Sequence, residues 1–300
     1  MNRFPDGARV CFVGDSITHN NLHVAHIAAY YREHFPEAKV EFYNCGISGA
    51  SLRCTLNAFD EDIRPYNPTH VVLMIGVNDS GRLALSDKKP EEKYDALEAS
   101  FALYKERLNT FCARLKEMGA QLTLCTPMPY AEYMESEVTP LQGGYALILA
   151  YADYLRGFAR ENGYPLCDYH AYATKVMMTE TIVRPDRVHP TDYGQYHMAK
   201  CFLAFQGYEL GEEKALPADI EAWHQVVKKV RNTIATEFFI LKADFTTTDE
   251  QRMAAIQEWL TTEYNGRNAG YFRELCEEYV VIKKDQKQNI QYVIDFMKNQ

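Results

Sequence analysis

Five short apolar runs recur along the chain: Arg9 to Val13, Val40 to Asn44, His70 to Ile75, Gln121 to Cys125, and Pro165 to Asp168. Each is rich in β-forming residues and short enough to read as a buried strand. Stretches with helical spacing lie between them. The clearest is Tyr94, Leu97, Phe101, Tyr104, Leu108, Phe111, Leu115 and Met118, which steps by three and four residues and closes at Gly119. Alternation of strand and helix predicts an α/β fold, its parallel strands joined by right-handed crossovers and its helices covering both faces. In such a sheet the ligand site lies beyond the carboxyl ends of the strands. Gly14-Asp15-Ser16, Gly46 and Gly76-Val77-Asn78-Asp79 each follow a predicted strand, so all three should meet on one edge.

After about Leu210 the pattern changes. Gly211-Glu212-Glu213-Lys214 and Pro217 mark a break, and the remainder reads as helices without strands, roughly Pro217 to Leu241, Asp249 to Tyr264, Tyr271 to Tyr279 and Lys284 to Lys298. The expected division is an α/β domain over residues 1–210, which holds all the glycine-bearing strand ends, and an all-helical extension over 211–300. The extension carries both tryptophans, Trp223 and Trp259, and packs either on the core or on a second subunit, the route to a homo-oligomer.

The composition narrows the partners. With 32 Lys and Arg against 41 Asp and Glu, the formal charge is −9, whereas phosphate binding relies on clustered cations. Nucleic acid is therefore not expected, and the short cluster Lys228, Lys229 and Arg231 reads as a solvated helix face. No segment approaches the ~20 apolar residues of a membrane span. The N-terminus leads straight into the first strand with no room for a secretory apolar region, so the chain is expected in the cytoplasm. Cys11, Cys45 and Cys125 fall in or beside apolar runs, as small buried hydrophobes do, and no Cys-x-x-Cys occurs among the eight cysteines.

Ser16 sits where a strand gives way to a helix, a position that suits a nucleophile and equally a helix N-cap. Asp186 and His189, followed by Pro190, supply a base and a carboxylate one turn away that can orient it; the same pair can be an ordinary surface contact. Gly46, in Asn44-Cys45-Gly46-Ile47-Ser48-Gly49, offers a backbone N–H that a substrate oxygen can approach, or is simply part of a glycine-rich turn. Asn78 offers a neutral amide donor for a developing oxyanion, or an Asx turn with Asp79. His19, His23 and His26 can share a helix face, but no nearby carboxylate or cysteine completes a ligand set, so no metal is expected and a solvated or partly packed face is. The long aromatic and acidic segment from Pro127 to Tyr145 either gates the substrate or merely connects. Arg53 and Arg82, just past the second and third glycine-bearing segments, are candidate contacts for a polar substrate.

Together, Gly14-Asp15-Ser16-Ile17, Gly46 in Asn-x-Gly-x-Ser-Gly, Gly76-x-Asn78-Asp79 and Asp186-x-x-His189-Pro190 resemble the four signature blocks of the SGNH (GDSL-like) hydrolases, in the family's order. The resemblance spans Arg9 to about Phe205. It implies a flavodoxin-like three-layer αβα sandwich with a five-stranded parallel sheet, hydrolysing a small-molecule ester through an acyl-enzyme without a metal or other cofactor. Carried over, Ser16 is the nucleophile, His189 the base and Asp186 its partner. The Ser16 amide, the Gly46 amide and the Asn78 side chain form the oxyanion hole. Ile17 stands where the family's name has leucine. The expected reaction is removal of a short acyl group, acetyl above all, from a polar molecule such as a sugar derivative. The alternatives are a lysophospholipase or thioesterase with an apolar acyl tunnel, and a catalytically silent binding module.

Overall fold

The computed structural model describes residues 3–82 and 90–230. Five strands, β1 (Arg9–Gly14), β2 (Glu41–Gly46), β3 (His70–Met74), β4 (Gln121–Cys125) and β5 (Leu166–Cys167), form one parallel sheet in the order β2-β1-β3-β4-β5. β2 runs two residues past its expected end because Val13 still pairs with Cys45 and Gly14 with Gly46. β5 is shorter than expected. It has one neighbour, and beyond Cys167 the Asp168 carboxylate turns to Ala171 N–H, Thr126 and Arg156.

Central strands buried on both faces need alternate side chains in two cores. Val10 and Phe12 of β1 join Phe42, Val72 and Met74 on one face, while Cys11 and Val13 join Tyr43, Val71 and Leu73 on the other. The first face is covered by α1 (Ser16–His19), α2 (Leu22–His34), α6 (Tyr169–Val176) and α7 (Asp192–Phe205). The second is covered by α3 (Leu52–Asn57), α4 (Pro90–Met118) and α5 (Gly144–Asn162). This is the three-layer sandwich that the alternation predicts.

The long apolar stripe lies on α4, but it is not buried from its start. Tyr104, Leu108, Phe111 and Leu115 are buried, whereas Tyr94 is 74% exposed. A helix of 29 residues runs about 43 Å, against roughly 17 Å for a five-residue strand, so its first turns overhang the sheet.

Of the C-terminal extension, the described part contains α8 (Ala218–Val230). It lies on α2, with Ile220, Ala222, Trp223 and Val227 in the same apolar cluster as the first sheet face. An ion pair between Arg32 and Asp219 and a hydrogen bond from Tyr196 to the Gly211 carbonyl tie it down. The helices expected beyond residue 230 lie outside the described residues. Among the described residues seven cysteines, Cys11, Cys45 and Cys125 among them, are buried and none forms a disulfide. No helix among the described residues is long and apolar enough to cross a membrane.

Candidate active site

β1 ends at Gly14 because the chain must bend tightly there. A Cβ at Gly14 would stand 2.2 Å from Thr18 Oγ1 and 2.5 Å from the Met74 carbonyl. Asp15 is then the N-cap of α1, its side chain accepting from Ile17 N–H at 2.9 Å. Burial pushes the Asp15 carboxyl up to about 6, against the opposing Ile17 N–H and the neighbouring His189 and Arg82. With the cap supplied by Asp15, the Ser16 hydroxyl is not drawn into capping. It lies 2.7 Å from His189 Nε2.

His189 Nδ1 lies 2.7 Å from Asp186 Oδ2, while Asp186 Oδ1 accepts from the N–H groups of Val188 (3.0 Å) and His189 (2.9 Å). Burial raises the Asp186 carboxyl, but those two donors and the imidazole outweigh it and hold the group below the ordinary carboxylate range. An ionised Asp186 orients the ring so that Nδ1 carries the proton and Nε2 faces the serine with its lone pair. The loop bearing both residues is a hairpin closed by Val183 and Pro190, with Arg184 N–H donating to the His189 carbonyl at 2.7 Å.

Arg187, between them, is the residue the sequence gives least hint of. Its backbone is left-handed, φ 67°, and its side chain is buried. The guanidinium donates to the carbonyls of Ala131 (3.0 Å), Glu132 (3.1 Å), Met134 (2.5 Å) and, through two nitrogens, Val138 (2.9 and 2.7 Å). Ala131 N–H returns a bond to the Arg187 carbonyl, and Ser136 Oγ donates to that of Pro185. The segment after β4 therefore buttresses the Asp186–His189 loop. None of its described residues lines the cavity at Ser16.

That cavity, of about 370 Å³, is lined by Asp15, Ser16, Ile17, Ser48, Gly49, Val77, Asn78, Arg82, Val188 and His189. The expectation for Gly46 is corrected here. Gly46 lies outside this lining, and its N–H donates to Asn44 Oδ1 at 2.8 Å. Its lack of a side chain serves close packing instead, because a Cβ would stand 2.4 Å from His19 N. Since β2 continues to Gly46, the loop that meets the cavity starts at Ile47, and Gly49 (φ 78°) borders it. Gly49 closes the same Asn-x-Gly-x-Ser-Gly run, so the sequence carries the signal, but β2 pairs for two residues beyond the apolar run that marks it. Among the described residues nothing accepts from the N–H of Gly49 or of Ser16.

Asn78 lines the cavity with one amide proton on the Ala50 carbonyl at 2.9 Å, leaving the second available. Arg82 Nη1 reaches the Val77 carbonyl and Asn78 Oδ1, at 3.1 and 3.4 Å. Asp79 does not form an Asx turn with Asn78. Its carboxylate receives Leu52 N–H at 2.9 and 3.1 Å, linking the third block to α3, and burial pushes it up to about 7. Of the two arginines, Arg82 lines the cavity and Arg53 does not.

The three early histidines do not form a solvated face. His19, His23 and His26 are all buried, because α7 and α8 pack on α2 and the Val227 carbonyl of α8 reaches His19. His23 Nδ1 donates to Gln195 Oε1, and His26 packs edge-on against Tyr196. Among the described residues no group of three or more His, Cys, Asp or Glu is arranged to hold a metal ion.

Comparison with known proteins follows the same residues. The family model of the GDSL-like lipase/acylhydrolase family matches residues 12–196. An acetylxylan esterase of Geobacillus stearothermophilus is 26% identical over 221 residues, covering 68% of this chain and 95% of that one. A solved structure described as a catalytic mutant of that acetylxylan esterase, a serine replaced by alanine, superposes with a TM-score of 0.56 at 25% identity over 70% of this chain and 99% of its own; a second such mutant carries alanine for an aspartate. A gut microbial diltiazem-metabolizing enzyme gives a TM-score of 0.64 at 26% identity, over 69% of this chain, which spans only 48% of that larger structure. Since the family model matches more than half of the chain and its span carries the serine, the histidine and the aspartate described above, this chain belongs to the GDSL-like lipase/acylhydrolase family of ester hydrolases.

Proposed function

We propose that the chain is a serine esterase that removes a short acyl group, chiefly acetyl, from a polar small molecule such as an acetylated sugar. The observation that carries the reading is the continuous chain from Ser16 Oγ through His189 to Asp186, 2.7 Å at each step, opening on a cavity. His189 Nε2 takes the Ser16 proton as Oγ attacks the ester carbonyl, and Asp186 stabilises the imidazolium. The oxyanion that forms is met by the N–H groups of Ser16 and Gly49 and by the second amide proton of Asn78. Collapse breaks the bond to the alcohol, which leaves with the proton from His189. Water, deprotonated by the same imidazole, then releases the acid and restores Ser16.

The lining favours a polar alcohol over a lipid. Beside the catalytic groups, Ser48 and Arg82 give the wall polar groups that the alcohol part of a substrate can meet. An acyl tunnel for a long chain calls for a mostly apolar wall. The related esterase acts on acetylated xylan by its name, which agrees with this choice.

Two measurements test the reading. A fluorophosphonate should label Ser16 in folded protein and fail to label the Ser16→Ala variant; an unlabelled wild type would show a silent fold. A series of 4-nitrophenyl esters should peak at acetate or propionate, and a peak at octanoate or beyond would assign the chain to the lysophospholipase or thioesterase alternative.

A further inference from the structure

The mechanism leaves His19 unused, yet this buried residue touches both the cavity wall and the C-terminal helix. Its Nδ1 lies 2.7 Å from Ser48 Oγ, and its Nε2 lies 2.9 Å from the Val227 carbonyl of α8. A carbonyl oxygen can only accept, so in the neutral ring Nε2 carries the proton and Nδ1 holds a lone pair. Ser48 Oγ–H must then donate to His19. Ser48 lines the cavity that Ser16 and His189 open into, and with its proton turned inward the hydroxyl meets a substrate as an acceptor.

We propose that Ser48 is a specificity-determining residue of this site, a hydrogen-bond acceptor for a free hydroxyl next to the esterified one, and that His19 is the positioning residue that sets its polarity under the Val227 carbonyl. This rests on the esterase reading at Ser16. A polyol monoester has such a neighbouring hydroxyl; an aryl acetate or a lipid ester has none in that place. Of the other polar lining, Asn78 turns its oxygen to Arg82, the Arg82 guanidinium only donates, Asp15 is held in the α1 cap, and Ser16 and His189 are held in the catalytic chain. The C-terminal helix thereby enters substrate choice through one carbonyl, although none of its described side chains lines the cavity.

The test compares a monoacetylated methyl pyranoside having its neighbouring hydroxyl free with the deoxy analogue that lacks it. Wild-type kcat/KM should favour the hydroxy substrate by about 3- to 10-fold, the worth of one net hydrogen bond. In Ser48→Ala the preference should fall to about one. His19→Leu should lose it too, whereas His19→Asn, whose Oδ1 can accept from Ser48, should restore most of it. A purely structural role for His19 would lower both substrates alike in Leu and Asn variants and leave the ratio unmoved, which overturns the proposal. So does a wild-type ratio of one, or a Ser48→Ala ratio equal to wild type, even if His19→Leu fails to fold. A wild type that hydrolyses neither acetate and does not label with fluorophosphonate overturns the reading at Ser16 and this inference with it; labelling with equal hydrolysis of both overturns this inference alone.

Discussion

Replacing Arg187 separates two contributions to one loop. Its guanidinium makes five N–H···O contacts to four carbonyls, those of Ala131, Glu132, Met134 and Val138, while only 3% exposed. Removing it leaves four acceptors short of a donor. At about 1 kcal/mol each, since water can reach part of this surface segment, the loss is about 4 kcal/mol. The backbone at φ 67° adds a second term, because a Cβ is strained there and glycine is not. Arg187→Ala should therefore lose about 4 kcal/mol, and Arg187→Gly, which also releases the strain the arginine already carries, about 1 kcal/mol less. Both variants loosen the loop that holds Asp186 and His189, so kcat should also drop by about 10²-fold, as expected for a misplaced base. Urea melts give the stability difference, and initial rates on 4-nitrophenyl acetate give the catalytic one. An Arg187→Gly protein within about 1 kcal/mol of wild type and with unchanged kcat would refute the buttress, since neither the bonds nor the loop geometry would then matter.

Asn78→Ala should lower kcat by about 10²–10³ with little change in the melting transition, if its second amide proton meets the oxyanion; an unchanged kcat removes Asn78 from the site. Gly46→Ala places a Cβ 2.4 Å from His19 N and 2.8 Å from His19 Cα, backbone that cannot swing aside. Little folded protein should be recovered, and a normal melt would contradict the packing given for this glycine. Acid should weaken the fold, with a definite sign. Burial lowers His23, His26, His170 and His224 to about 4, so each contributes stability present above 6.5 and lost as pH falls toward 4. Asp15 and Asp79, raised to about 6 and about 7, act the opposite way, contributing stability that is lost as pH rises. Four protons against two leave unfolding to take up about two protons near pH 5, a slope of about 2.7 kcal/mol per pH unit. Urea melts at pH 4.5, 5.5 and 6.5 read it directly, and stability that is flat or rises on acidification is the contrary outcome.

The strands are legible because central parallel strands need unbroken apolar runs, and β4 matches its expected bounds at both ends. The order of blocks is legible because the carboxyl ends of parallel strands share one edge, which puts Ser16, the loop after β2 and Asn78 together. Gly46 and Gly49 were not separable, since either glycine suits a turn and the choice depends on how far β2 keeps pairing with β1. Tyr94 fits the helical period of α4 as well as Leu108 does, and only the length of the sheet beneath decides which is buried. The histidines after Ser16 face partners some 170 to 210 positions away in the chain, Gln195 and the Val227 carbonyl, and no local pattern announces them.

By itself, then, the sequence determined the α/β alternation, the placing of Ser16 at a strand end and the pairing of Asp186 with His189, because these follow from periodicity and from separations of a few residues. Tertiary structure alone decided which glycine borders the cavity, that a buried Arg187 clamps the catalytic loop to the segment after β4, and that α8 reaches the cavity wall through His19. Those outcomes depend on where one segment's carbonyls and side chains end up against another's. Contacts over such separations are selected by packing and burial, which the local spacing of residues does not encode.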